Sequence, residues 1–158
     1  MLHRDVLEVR EMLESQAAEL AAQRATDIDM ARLDKAFTLL DEAYANKDLE
    51  TSIAADVAFH QAIADASHNV LIGHLTASLT RVIHDHVSNN LKHSHTRPAQ
   101  WEQLRNQHRA IWKAIKASKQ DKANLAAKEH SVYIRESIEN HALDEHRRAS
   151  ALRRAGTH

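Results

Sequence analysis

Apolar residues recur at steps of three and four along almost the whole chain, the spacing of one buried face on an α-helix. Between residues 5 and 24 the stripe runs Val6, Val9, Leu13, Ala17, Leu20 and Ala21. Thr26 with Asp29 three residues on reads as a capping box, and Leu33, Phe37, Leu40 and Ala43 continue a second helix. Asn46-Lys47-Asp48 reads as a turn with Asp48 as the next N-cap, opening a third helix that carries Ile53, Val57, Phe59 and Ile63 to about Ala66. Ser67-His68-Asn69 interrupts the pattern. A fourth stripe then follows through Leu71, Leu75, Leu79, Val82, Ile83 and Val87, and gives way to polar Ser88 to His95, which predicts a loop. Pro98 suits the first turn of a fifth helix bearing Trp101, Leu104, Ile111, Trp112 and Ile115. After Ser118-Lys119 a long last helix carries Leu125, Tyr133, Ile134 and Ile138 and is expected to fray between Ala142 and Arg148. The prediction is an all-α fold, an antiparallel bundle of six or seven helices with short links.

Composition agrees. Only 2 Gly and 1 Pro occur in 158 residues, too few for a turn-rich β fold. The length suits one domain with a substantial core. No Cys is present, which excludes disulfides and thiolate zinc sites and fits a reducing cytoplasm. No apolar run approaches the roughly 20 residues of a membrane span, so no membrane partner is expected. A formal charge of −1 gives no general attraction to nucleic acid. The anomaly is 13 His.

Most of these imidazoles belong on the surface, but a few interrupt apolar faces. Asp56 and His60 lie four apart on the third helix, in the stripe of Ile53 and Ile63. His108 falls within the line Trp101, Leu104, Ile111, Ile115, and His130 on the face of Ala123, Ala126 and Tyr133. Three histidines and a carboxylate thus point inward from three helices. Burying each ring is costly unless a partner satisfies it. A borderline divalent ion would collect them all, and zinc, nickel and manganese suit such donors. Spacing alone leaves two plain alternatives open, core histidines satisfied singly and an ordinary i,i+4 contact.

The string Ala55-Asp56-Val57-Ala58-Phe59-His60-Gln61-Ala62-Ile63-Ala64-Asp65-Ala66-Ser67-His68-Asn69 closely resembles the segment "aD..FH..ia.aS.N" of the FCD ligand-sensing domain, the C-terminal half of FadR-type regulators in the GntR family. Leu7 to Glu14 resembles that domain's opening "l.evR..lE", and Gln107-His108 with Ile111, Ala114, Ile115 and then His130 resembles its "eH..i..Ai" and closing "H". The resemblance implies an effector-binding domain over residues 1–158, with one divalent ion on Asp56, His60, His108 and His130. It implies a homodimer, with the first and fourth helices as its apolar faces, and DNA bound through an N-terminal winged helix-turn-helix that this chain does not contain. Arg10 becomes a candidate anchor for an effector carboxylate, its alternative being an ion pair with Glu14. Arg81 and Tyr133 are weaker candidates, with a solvated arginine and a core aromatic as their alternatives. His68-Asn69, Asn89-Asn90 and the Arg147, Arg148, Arg153, Arg154 tail look most like lactate-, glycolate- and pyruvate-responsive members, so a small 2-hydroxy or 2-oxo acid is the expected effector. Ser118-Lys119 departs from the Gly-Asp common in the family and weakens the expected cap.

The other histidines, His84, His86, His93, His95, His141 and His146, are expected in solvent. A helical metal-dependent hydrolase is the rival reading, although no H-E-x-x-H and no Glu-x-x-His pair occurs. A purely structural helical module would need no metal.

Overall fold

The computed structural model describes residues 2–156 and contains six α-helices and no strand among them. They are α1 (Leu2–Arg24), α2 (Asp27–Ala45), α3 (Leu49–Ala66), α4 (Val70–His95), α5 (Pro98–Lys116) and α6 (Gln120–Ala155). The expected span of 1–158 adds Met1, Thr157 and His158, which lie outside the described residues.

Local chemistry sets the breaks. The Thr26 side chain accepts from the Asp29 backbone N–H while Asp29 accepts from that of Thr26, so the predicted capping box is formed. Asp48 caps α3 through the Thr51 N–H, and Asn69 caps α4 through Leu71 and Ile72. Three of the links turn on a non-glycine residue with positive φ: Lys47 at 52°, His68 at 53° and Ser118 at 56°. At Lys47 and Ser118 the paired bonds of a Schellman motif close the preceding helix, Asp48 N–H to Ala43 O with Lys47 N–H to Tyr44 O, and Lys119 N–H to Ala114 O with Ser118 N–H to Ile115 O.

Two expectations are corrected. Residues 88–95 are not a loop, because Leu91 continues the buried stripe one turn beyond Val87, and Asn90 and Ser94 are buried beside it. Nor does α6 fray at Ala142; it runs on to Ala155 as a mostly exposed helix rich in Ala, Arg and Leu, all strong helix formers.

The core is gathered around Leu33, Phe59, Leu104 and Ala123, all fully buried. Burial of a side chain such as Phe59 contributes roughly 1.5–3 kcal/mol. Phe37 of α2 stacks on Trp112 of α5 at 4.3 Å, and Tyr44 stacks on Trp101 at 4.3 Å. The indole N–H groups are satisfied, Trp101 donating to Tyr44 O and Trp112 to Asp34 Oδ1. Asp41 receives Arg105 Nε at 2.8 Å and Arg109 Nη2 at 3.0 Å, completing the α2–α5 seam. This seam fixes the rotation of α5 and so aims His108 inward.

Candidate metal centre

Asp56 and His60 of α3, His108 of α5 and His130 of α6 meet in the bundle interior, all buried. One donor atom from each lies within 4.8 Å of every other. His108 Nε2 stands 3.0 Å and His60 Nε2 3.5 Å from Asp56 Oδ1. The rings of His60 and His130 stack with centroids 5.4 Å apart, and those of His108 and His130 are 4.5 Å apart.

Outer groups orient two of the rings. His130 Nδ1 is 2.7 Å from Gln107 Oε1, so Nδ1 carries the proton and Nε2 is left as the donor. His60 Nδ1 faces Glu14 Oε1 at 3.5 Å, which likewise favours Nε2 as the free donor. Glu14 also accepts from Ser131 Oγ at 2.7 Å and from Arg10 Nε at 2.8 Å. The Arg10–Glu14 pair exists, but it lies inside the bundle rather than at the surface, with only about a tenth of each side chain exposed (10% and 11%).

The charges hold one another. Burial opposes ionisation of Asp56, yet His60 and His108 beside it hold its carboxyl well below the usual range. Burial opposes the charged form of His60 too, but the Glu14 and Asp56 carboxylates raise its pKa. His108 is lowered chiefly by burial, and His130 well below its usual value by burial and then by its two histidine neighbours. Burial, then the Asp56 carboxylate, pushes the Tyr44 phenol up and keeps it neutral.

Several buried polar atoms have no hydrogen-bond partner: His60 Nε2, both ring nitrogens of His108, Arg10 Nη1 and Tyr44 Oη. His108 Nε2 is close enough to Asp56 for an ion pair, but its N–H direction does not make a bond, and the direction decides. Each such orphan costs about 1–3 kcal/mol. Orphaned imidazole nitrogens turned on one carboxylate are what a divalent-ion site presents, and three imidazoles with a carboxylate fit a borderline metal.

A narrow cleft reaches this cluster between α1, α3 and α4, lined by Arg10, Ile53, Asp56, His60, Thr80 and Ile83 among others. It has room for about one water molecule. The sequence-predicted residues divide accordingly. Arg10 lines the cleft with the cluster. Arg81 is exposed and donates to Ser78 Oγ, while Tyr133 is half-buried in a different groove with His93, Arg97 and His141. His84, read as a plain surface residue, lines the mouth of the cleft. His93, His95 and His141 are half-buried rather than in open solvent. The contacts of Glu14 and Gln107 with the histidine rings are not legible in the sequence, although both residues stand in the quoted motifs, because spacing does not reveal which ring nitrogen a neighbour engages.

The sequence model of the FCD domain matches residues 5–132. This chain belongs to the FCD domain family. The FCD domain is 34% identical over 158 residues to a protein described as the L-lactate dehydrogenase operon regulatory protein of Escherichia coli strain K12, covering 98% of this chain and 58% of the relative. It is 30% identical over 145 residues to the Glc operon transcriptional activator of the same strain, covering 90% of this chain and 57% of that protein. Among solved structures it is similar to the GntR protein of Streptococcus agalactiae, with TM-score 0.68 and 29% identity over 85% of this chain and 58% of that one. The chain therefore spans somewhat over half the length of these relatives. The FCD domain is a regulatory domain of GntR-family transcription regulators, which sets the hydrolase reading aside. No helix among the described residues is long and apolar enough to cross a membrane.

Proposed function

We propose that this FCD domain senses a small carboxylic acid through one divalent metal ion held by Asp56, His60, His108 and His130, and thereby controls DNA binding by a separate winged-helix domain of the whole protein. The observation that carries the reading is the set of orphaned imidazole nitrogens turned on a buried, ionised carboxylate. Zinc is the first expectation for the ion, with nickel and manganese compatible with the same donors. Bound there, the ion would act as a Lewis acid for an oxygen-donor ligand.

The chain's own residues supply the rest. Arg10 keeps one face on Glu14 and has Nη1 unpaired beside the cleft, so it can receive a carboxylate. Glu14 and Gln107 fix the ring tautomers. The resemblance to an L-lactate dehydrogenase operon regulator supports a 2-hydroxy or 2-oxo acid, such as lactate, glycolate or pyruvate. The cleft admits about one water, so an acid requires α4 to move away from α1 and α3. That movement is the conformational signal, provided the ligand binds the opened arrangement more tightly than the closed one. The exposed apolar side chains of α1 and α4, among them Met12, Leu71 and Leu75, support a homodimer through those helices.

The test is a thermal-shift series against lactate, glycolate and pyruvate, before and after chelation, with metal content measured in parallel. One acid should raise the melting temperature only in metal-loaded protein. Protein that takes up no divalent ion, or an acid response indifferent to chelation, would overturn the metal-centred reading.

A further inference from the structure

Away from the inner quartet, a second imidazole pair stands where α4 meets α6. His93 and His141 have ring centroids 4.2 Å apart with planes tilted by 41°. That separation is near the 4.5 Å between His108 and His130, two rings whose donors already converge. Both outer rings are half-buried and open onto grooves. Glu145 lines the same groove as the pair, and Asp144 the adjoining one. Glu145 follows His141 by one helical turn, so the two project from one face. Asp144 also faces the pair but stands 3.8 Å from Arg147, whereas Glu145 shares a face of α6 with His141. Asn90, 2% exposed with neither amide atom partnered, lines the groove as well and adds an unsatisfied polar group.

We propose that His93, His141 and Glu145 form a second divalent-metal site, for a borderline ion such as zinc or copper, at the α4–α6 junction. Neutral imidazoles at this separation can share one ion, and a carboxylate completes three protein ligands with open positions for water. Among the described residues only the inner quartet has three or more donors already converged. The outer site therefore closes by rotation of the exposed Glu145 side chain onto the imidazole pair, and it binds more weakly than the inner one. Its consequence follows from its place on α4, the helix whose Ile83, Val87 and Ser88 wall the cleft. An ion on His93 and His141 ties the end of that helix to α6 and resists its displacement.

Equilibrium dialysis of the whole chain against zinc tests this, with wild type compared to His93→Ala, His141→Ala and Glu145→Gln. Wild type should take up two saturable equivalents. Each histidine variant should keep the tighter equivalent and lose the weaker, and Glu145→Gln should weaken the second without touching the first. Copper(II) added after the inner site is filled with zinc should give an electron-spin spectrum with two-nitrogen splitting in wild type, absent in both histidine variants. The positions are half-buried or exposed, and circular dichroism checks that the variants fold. Uptake that neither histidine substitution reduces, whether one equivalent or two, overturns the outer site, whereas a single wild-type equivalent abolished by both substitutions would keep the outer site and overturn the inner one. The proposed inner site has its own failure signature, loss of the tighter equivalent in wild type.

Discussion

Each imidazole of the inner quartet has a different role for its second nitrogen, and that difference can be tested residue by residue. His130 spends Nδ1 on Gln107, so Gln107→Ala frees the ring to rotate and change tautomer. Loss of such an outer partner weakens metal binding by about 10–100-fold. Competition with a chromogenic chelator should read that loss while the fold persists; unaltered affinity would mean that Gln107 does not orient the ring. Arg10 acts on the other component. Arg10→Ala should leave the inner metal equivalent in place but abolish the acid-dependent thermal shift, and a shift of wild-type size would remove Arg10 from the effector site. At this scale the sequence was informative about inward direction: Asp56, His60, His108 and His130 interrupt apolar stripes, and the structure brings them together. The sequence offers Glu14 only as a partner of Arg10 and gives Gln107 no role, because contacts between helices, such as those of Glu14 with His60 and of Gln107 with His130, depend on the rotation of each helix about its own axis. The ranking of Arg10 above Arg81 and Tyr133 agrees with the structure, where only Arg10 of the three lines the cleft.

Helix boundaries followed from caps and breaks, and misled where a polar residue was buried. The stretch from Ser88 to His95 looked like a loop, because Asn90 and Ser94 conceal that Leu91 keeps the stripe. The turn residues offer a direct experiment. Ser118 is exposed and holds φ of 56°, a conformation that costs an L side chain roughly 1–2 kcal/mol and glycine little. Allowing for glycine's greater entropy when unfolded, Ser118→Gly should stabilise by roughly 1 kcal/mol, a rise of about 2–4 °C in Tm. The α2–α5 seam makes a prediction about pH. Hydrogen bonds from Arg105, opposed by partial burial and reinforced by the charges of Arg105 and Arg109, lower the Asp41 pKa. A carboxylate lowered on folding contributes stability that is present above its unfolded pKa of about 3.9 and is lost as pH falls through the folded value. Asp41→Asn should therefore cost ~1 kcal/mol at neutral pH, discounted for solvent screening, with the gap to wild type closing as pH falls below the unfolded value of about 3.9. Urea denaturation at both pH values measures it, and a gap independent of pH would deny the ion pair its role.

At the scale of the whole molecule, α4 stands on both sides of the proposed signal. One face, with Thr80, Ile83 and Val87, walls the cleft over Asp56 and His60. The opposite side leaves Leu71, Leu75 and Val82 exposed, and the neighbouring α1 leaves Val9 and Met12 exposed. An apolar surface of this kind on a folded chain is costly in water unless another surface covers it. A second copy of the same chain meets that need with a self-complementary face. On the proposed reading effector binding and dimer geometry are coupled, since a ligand that enlarges the cleft by moving α4 would also shift the helix proposed to face the partner. Leu71→Glu with Leu75→Glu places charges on that face and none in the cleft. Sedimentation should show the wild-type mass halved in this variant, with the chelator-sensitive thermal shift from metal retained. A variant that still sediments as a dimer would move the interface elsewhere, and the route from cleft to partner would then have to run through another helix.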